Sequence, residues 1–473
     1  MTDRTFDVIV LGAGPAGENA ADVAARHGLE VAIVERELVG GECSYWACMP
    51  SKALLRPGDV ADMAARTPGF TGGSIDVEAT LERRDALAAR WDDSGQVSWL
   101  ESANVHLVRG QGRLAGERTV TVESADGLVS QYEAKRAVVV ATGTSAAMPP
   151  IKGLAEAGVW DSRDVTTAKD VPRRLLVIGG GVVGVEMAQA WKTLGSEEMT
   201  VIELFDRLLA REEPAAGSEL RQSFEKMGIR VLTGARTNRI SRQGPDGPVT
   251  AEILLEDGSN ISVEADEVLV ATGRHPNTYD LGLETVGLEP GSYIEVDDHL
   301  RATALADGWL YAVGDVNGRS LLTHTGKYQA RIAGAHIAGL VTRAWGDSKA
   351  TPRVVFTNPK VAAVGMTESA ARGAGISVRT VEYDIGHVAG AATLGRGYHG
   401  TSKLVIDADR RVIVGATFIG PMVGELLHAA TIAIVGEVPL DTLWHAVPAF
   451  PILSEVWLRL LETYRDQYGH EFL

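Results

Sequence analysis

Cys43 and Cys48 are the only cysteines in 473 residues, and five positions separate them in GGECSYWACMPSK. Two cysteines dropped at random into a chain this long fall that close about 2% of the time. A thiol pair at short spacing can carry two electrons by opening and closing a disulfide, provided the sulfurs are reachable and their ionisation is tuned. Free cysteines also pack as small apolar groups, so the neighbours matter. Gly40 and Gly41 allow a close backbone approach, Pro50 suits the start of a helix, and Lys52 puts a cation one helical turn beyond Cys48. These neighbours favour redox chemistry over core packing.

Such a pair needs an electron source, and the flanking elements have the patterns of two nucleotide sites. The apolar run FDVIVL leads into Gly12-Ala13-Gly14-Pro15-Ala16-Gly17, then a helical stretch, then a strand from Leu29 that ends at Glu35. Strand, glycine turn, helix, strand and terminal acid are the parts of a dinucleotide site. Gly12 and Gly14 shape the turn and admit a pyrophosphate, Gly17 lets helix and strand meet, and Glu35 can accept from ribose hydroxyls. The pattern recurs: RLLVI, then Gly179, Gly181 and Gly184 in GGGVVG, a helix, and MTVIE ending at Glu203. Two strands also end alike, in Ala141-Thr142-Gly143 and Ala271-Thr272-Gly273, which points to a duplicated unit. Later, LYAVGDV ends a strand at Gly314-Asp315, where an aspartate can bond sugar-alcohol hydroxyls.

Beyond residue 350 the pattern changes. VVFTNPKVAAVG, ISVRTVEYDI and SKLVIDADRRVIVGATFIG alternate like an antiparallel sheet, and GELLHAATIAIVG and LSEVWLRLLETYRDQYG read as helices. The expected fold is therefore α/β: two Rossmann-like dinucleotide-binding domains and a C-terminal α+β domain. Residues 55–100 read as helical and carry no site. Within them, LERRDALAARWDD has the look of one solvated helix.

The formal net charge of -17 has no basic block within it, which argues against nucleic acid and anionic membrane partners. No apolar run is long enough to span a bilayer, and the N-terminus enters a strand without a signal-peptide pattern. With two cysteines, a cytoplasmic setting and a catalytic disulfide are expected. No metal site is read.

These motifs, in this order and over nearly the whole chain, resemble the class I pyridine nucleotide-disulfide oxidoreductases, which include dihydrolipoamide dehydrogenase, glutathione reductase and mercuric reductase. The resemblance implies FAD on the first glycine turn and NAD on the second. It implies an FAD domain in two parts (1–150 and 276–350), an NAD(P)-binding domain (151–275) and a dimerisation domain (351–473) that forms a homodimer. Gly41, Gly112, Thr142, Gly143, Gly273, Gly314, Asp315, Thr323 and His324 would line the cofactor sites. Cys48 would be the thiolate against the flavin and Cys43 the exposed thiol that attacks substrate. Lys52 would stabilise reduced flavin and pair with Glu186. At Glu203 a carboxylate favours the free 2′-hydroxyl of NADH over the 2′-phosphate of NADPH, although Arg207 and Arg211 follow closely enough to leave NADPH open.

The chain departs from the family in one segment. Relatives carry a histidine, then Pro and Glu, near the C-terminus, and the histidine moves protons for the interchange thiol. Here the segment reads Ala449-Phe450-Pro451 and runs on to Glu455, so the glutamate is kept and phenylalanine replaces the histidine. Phenylalanine cannot transfer a proton. His445 is the nearest alternative. Glu42 beside Cys43 should oppose a thiolate, and Tyr45 and Trp46 could line an apolar mouth or simply pack. The expected activity is an NADH:disulfide oxidoreductase acting on a small disulfide or another acceptor. Two alternatives stand beside it: a dihydrolipoamide dehydrogenase, and a quinone reductase or diaphorase with auxiliary cysteines.

Overall fold

The computed structural model describes residues 4–245 and 247–469, which form two compact units. One is built from the chain up to Pro50, Asp85–Ala147 and Arg274–Ser348; the other is built from Ser51–Arg84, Met148–Gly273 and the chain from Lys349 onward.

The first unit is organised around strands β1 (Arg4–Leu11), β2 (Val31–Glu35), β3 (Val105–Arg109), β4 (Gln111–Leu114), β5 (Thr119–Glu123) and β6 (Val129–Val140). The sheet order is β3-β2-β1-β6-β5-β4, and strand Leu310–Ala312 adds to the far end of β6. Pairings among β3, β2, β1, β6 and Leu310–Ala312 are parallel, whereas β4 and β5 run antiparallel. Helix α1 (Pro15–Arg26) crosses from β1 to β2. A parallel sheet covered on both faces needs apolar residues on both sides of each strand. Val8 and Val10 accordingly pack with Ala20, Ala21 and Ala24 of α1, while Ile9 and Leu11 pack on the other face with Val34, Val138 and Val140. The carboxyl ends of β1 and β2 open onto the loops that carry α2 (Gly41–Tyr45) and the start of α3 (Cys48–Arg66).

The second unit repeats this plan. Strands Ile229–Leu232, Glu198–Ile202, Arg174–Ile178 and Glu267–Val270 form a parallel sheet in that order. Helix Val182–Leu194 crosses from its third strand and buries Trp191, whose indole N–H donates to the Val165 carbonyl at 3.1 Å. A three-stranded antiparallel sheet (Arg236–Arg242, Val249–Leu254, Asn260–Ala265) completes the nucleotide part. The C-terminal part is a five-stranded sheet ordered Arg353–Val355, Lys360–Gly365, Val412–Gly420, Thr401–Asp407, Val378–Asp384. Neighbouring strands run antiparallel, and helices Val423–Val435 and Glu455–Tyr468 share its core.

One reading of the sequence needs correction, and one left open is decided. LERRDALAARWDD is not one solvated helix: the helix Val77–Leu87 stops, and Ala89, Arg90 and Trp91 all take positive φ. Arg84 is 0% exposed and donates to the carbonyls of Thr166 and Ala168. Charge patterning marks solvent faces well, but it cannot reveal that two unpaired carbonyls await one guanidinium. Of the two readings open for Tyr45, a mouth or packing, it packs. Its ring is buried and its hydroxyl donates to the Val39 carbonyl at 2.8 Å, stapling the loop beneath the thiols.

Candidate active site

The loop after β2 turns at Gly40 (φ +112) and Gly41 (φ +58), conformations that side chains rarely adopt. A Cβ on Gly41 would stand 2.8 Å from the Cα of Gly14, so this glycine lets the cysteine loop lie against the first nucleotide turn. Cys43 sits within α2, and Cys48 opens α3. Both thiols are half-buried and unbridged. Cys48 Sγ lies 3.4 Å from the Thr323 hydroxyl, at the start of helix Thr323–Ile337. The hydrogen bond with Cys48, then burial, then the charge of Cys48 push the Cys43 thiol up, while Thr323 and Lys327 act in the opposite sense. These causes favour the protonated form of Cys43. Glu42 is not the leading cause of the rise. His324, beside Thr323, is exposed.

Lys52 lies four residues along α3 from Cys48, with Pro50 tolerated in the first turn. Its ammonium meets Glu186 Oε2 at 2.7 Å and lies 4.8 Å from the Phe356 ring centroid. The other oxygen of Glu186 accepts from the Phe356 amide at 2.9 Å. Glu186 is buried, so its charge is matched by a cation and a backbone donor. No motif marks Phe356.

The two glycine turns are built alike. Ala13 N–H donates to one Glu35 oxygen and Glu37 N–H to the other, both at 2.8 Å. Gly180 N–H donates to one Glu203 oxygen at 2.6 Å and Phe205 N–H to the other at 2.8 Å. Each acid thus holds its turn and retains lone pairs for a ribose. A Cβ on Gly17 would fall 1.9 Å from the Gly12 carbonyl oxygen, and one on Gly184 would fall 1.9 Å from that of Gly179. Gly14 and Gly181, by contrast, face open space, where a pyrophosphate could approach. The Arg207 guanidinium is taken up by Asp206 and the Ala210 carbonyl, and Arg211 is exposed.

Asp315 is reached by the Thr144 hydroxyl at 2.8 Å, and Arg274 Nε donates to that same hydroxyl oxygen at 2.6 Å. Burial pushes the Asp315 carboxyl up, while Thr144 and Arg274 hold it down. Thr144 and Arg274 each follow one of the two Ala-Thr-Gly repeats, the signal that could have found them. The Thr142 hydroxyl is buried without a hydrogen-bond partner, which suits a group not yet counted. An open glycine cradle, a ribose-ready acid and an orphaned hydroxyl together fit a dinucleotide such as FAD. Gly143 and Gly273 face open space, Gly112 packs against Leu11 and Val34, and a Cβ on Gly314 would meet that of Ala16 at 3.0 Å.

At the C-terminus, Glu455 starts helix Glu455–Tyr468. Arg459 donates to one of its oxygens at 2.6 Å and Ala389 N–H to the other at 3.3 Å. Phe450 is 75% exposed, and His445 is also exposed.

Residues 6–338 match the family described as pyridine nucleotide-disulphide oxidoreductase, and residues 351–460 match its dimerisation domain. The chain belongs to this family. The pyridine nucleotide-disulphide oxidoreductases most similar to it include a dihydrolipoyl dehydrogenase of Chlorobaculum tepidum, 36% identical over 95% of both chains. A mercuric reductase of Staphylococcus aureus is 30% identical over 96% of this chain and 81% of its own length. The crystal structure of LpdA from Mycobacterium tuberculosis superposes with a TM-score of 0.83, at 28% identity, over 97% of this chain and 99% of that one. Family membership makes this chain a flavoprotein of the disulfide oxidoreductase type with a C-terminal dimerisation domain. Among the described residues, no helix is long and apolar enough to cross a membrane.

Proposed function

We propose that the chain passes electrons from NADH through bound FAD to a Cys43–Cys48 disulfide, and from there to a disulfide or other acceptor outside the protein. The observation that carries this reading is the thiol pair itself. The only two cysteines share a hydrogen bond, and one faces a threonine hydroxyl at the start of a helix beside the nucleotide cradle. Cys48, which faces the Thr323 hydroxyl at the start of its helix, suits the flavin-facing role, and Cys43 suits the role of interchange thiol. The Lys52–Glu186 pair supports a fixed cation for negative charge on a reduced ring. Glu203 supports NADH over NADPH, since its carboxylate is held in place and Arg207 is engaged elsewhere. Val447, Phe450 and Ile452 are exposed apolar residues within the dimerisation domain and support a homodimer.

A second reading has its own observation. The histidine that would serve a dithiol is replaced by Phe450, and both Glu455 oxygens are engaged by Arg459 and Ala389. An acceptor needing no acid-base partner, such as a quinone, fits that arrangement, with the cysteines auxiliary.

Anaerobic titration with NADH separates the two. A long-wavelength thiolate-to-flavin charge-transfer band, absent in Cys48→Ala, is expected. Flavin bleaching without that band would favour the quinone reading.

A further inference from the structure

Helix Ser94–Ser102 begins on an aspartate that does not cap it. An N-cap aspartate ordinarily accepts from the first amides of its own helix, yet the Asp93 side chain makes no such bond. Its Oδ2 accepts instead from the Val39 amide at 2.8 Å and from Arg109 at 2.5 Å. The local turn is served by Asp92, whose Oδ1 accepts from the Ser94 amide at 2.8 Å. Immediately ahead of both acids, Ala89, Arg90 and Trp91 take φ of +50, +51 and +57 in succession. A residue with a Cβ adopts that backbone only where its surroundings demand it. Arg109, at the end of β3, also donates to the Glu37 carbonyl at 2.7 Å. Val39 is fully buried and is gripped from its other side as well, because its carbonyl takes the Tyr45 hydroxyl at 2.8 Å. The next residue, Gly40, donates its amide to the Ala13 carbonyl of the first glycine turn at 2.8 Å. Tyr45 lies between Cys43 and Cys48 in the chain. The entry to the cysteine loop and its middle are thus tied to one residue, and all these groups belong to the same compact unit.

We propose that Asp93 is a positioning residue of the Cys43–Cys48 pair: together with Tyr45 it clamps Val39, and so holds the loop from Val39 to Cys48 in the narrow geometry that a disulfide requires. The proposal rests on the reading of the pair as a redox centre. Asp93 acts through Val39 rather than on a sulfur. The left-handed turn at Ala89–Trp91 aims it away from its own helix and toward the loop. A disulfide closes only when its sulfurs and β-carbons come within a small range of distances and angles. A loop already held near that shape loses little freedom on closing, whereas a loose one loses more. Reduction breaks the S–S bond, takes up two electrons and two protons and leaves two thiols, so the freedom of the loop enters that equilibrium directly. The clamp therefore favours the disulfide and makes the reduced pair the stronger donor toward an acceptor.

The test equilibrates purified holoenzyme in anaerobic mixtures of reduced and oxidised dithiothreitol, then alkylates with iodoacetamide and counts free thiols by mass spectrometry. Enzyme disulfide and dithiothreitol exchange two electrons and two hydrogens, giving enzyme dithiol and the cyclic disulfide of dithiothreitol. D93A and Y45F should each shift this equilibrium about tenfold toward the enzyme dithiol, ~30 mV upward in potential. D93N keeps an acceptor for the Val39 amide and should stay close to the wild type. D92A removes the turn's own acceptor without touching Val39 and should leave the equilibrium unchanged, which separates control of the loop from a loosened helix start. Wild-type equilibria in both D93A and Y45F, with flavin content and thermal midpoint intact, would overturn the proposal, and so would an equal shift in D92A. Should D93A lose its flavin, D93S carries the test, because its hydroxyl suits the N-cap but is too short to reach Val39. Turnover that survives Cys43→Ser would defeat the redox reading instead, and the equilibrium of the intact pair would still report on Asp93.

Discussion

At the residue scale, single carboxylates in this protein serve two ends at once. Glu203 closes the second glycine turn through two amide donors, and in the proposed function its charge also selects the ribose. Replacing it with alanine would orphan both amides and confuse selectivity with folding. Glu203→Gln keeps the shape and one acceptor while removing the charge. Its ratio of kcat/KM for NADH over NADPH should fall about tenfold, ~1.4 kcal/mol; an unchanged ratio would remove Glu203 from cofactor choice. Glu455 shows the opposite economy. Arg459 and the Ala389 amide hold it, so keeping the glutamate near a lost histidine does not by itself preserve an acid-base site.

At the element scale, the turn between β1 and α1 depends on the absence of a single Cβ. At Gly17 that atom would lie 1.9 Å from the Gly12 carbonyl oxygen, so the helix must retreat from the strand if one is added. Gly17→Ala should therefore purify almost free of flavin, seen as a collapsed ratio of visible to 280 nm absorbance. Gly14 faces open space with extended backbone. Gly14→Ala should fold and should lose affinity only through contact with the pyrophosphate. Equal flavin content in the two variants would refute this division of labour.

At the scale of the whole molecule, the second unit has an ionic tie. Lys403, on strand Thr401–Asp407, meets Glu213 at 3.0 Å, just ahead of helix Pro214–Lys226, and Glu368 at 2.7 Å. Lys403 and Glu213 are buried. Lys403→Met leaves Glu213 uncompensated and should cost about 3–5 kcal/mol, read as a lower urea midpoint in the holoenzyme. Lys403, then Arg372, hold the Glu368 carboxyl below its usual range. Its folded pKa is depressed, so its contribution is full above the unfolded value of ~4.3 and is lost as pH falls through the folded one. The wild-type midpoint should drop at that acid end, and the drop should be smaller in Lys403→Met. Val447 is 86% exposed in the dimerisation domain. Val447→Asp should shift sedimentation from dimer toward monomer, and an unaltered dimer would place the interface elsewhere.

The repeated strand–glycine turn–helix–strand–acid plan is legible in one dimension because those positions obey local rules: a turn that excludes a Cβ, and a period of two or of 3.6 that buries one face. The same rules marked the thiol pair, since its rarity and spacing are visible in one dimension. The tertiary structure alone decided what met what. Arg84 left an apparently solvated run to satisfy two distant carbonyls. Phe356 came to Glu186 from 170 residues away, and from still further along the chain to Lys52. Thr144 joined Asp315 and Arg274. Each is a polar group whose burial requires a particular partner, and the chain brings that partner from a remote segment only once both have lost their water.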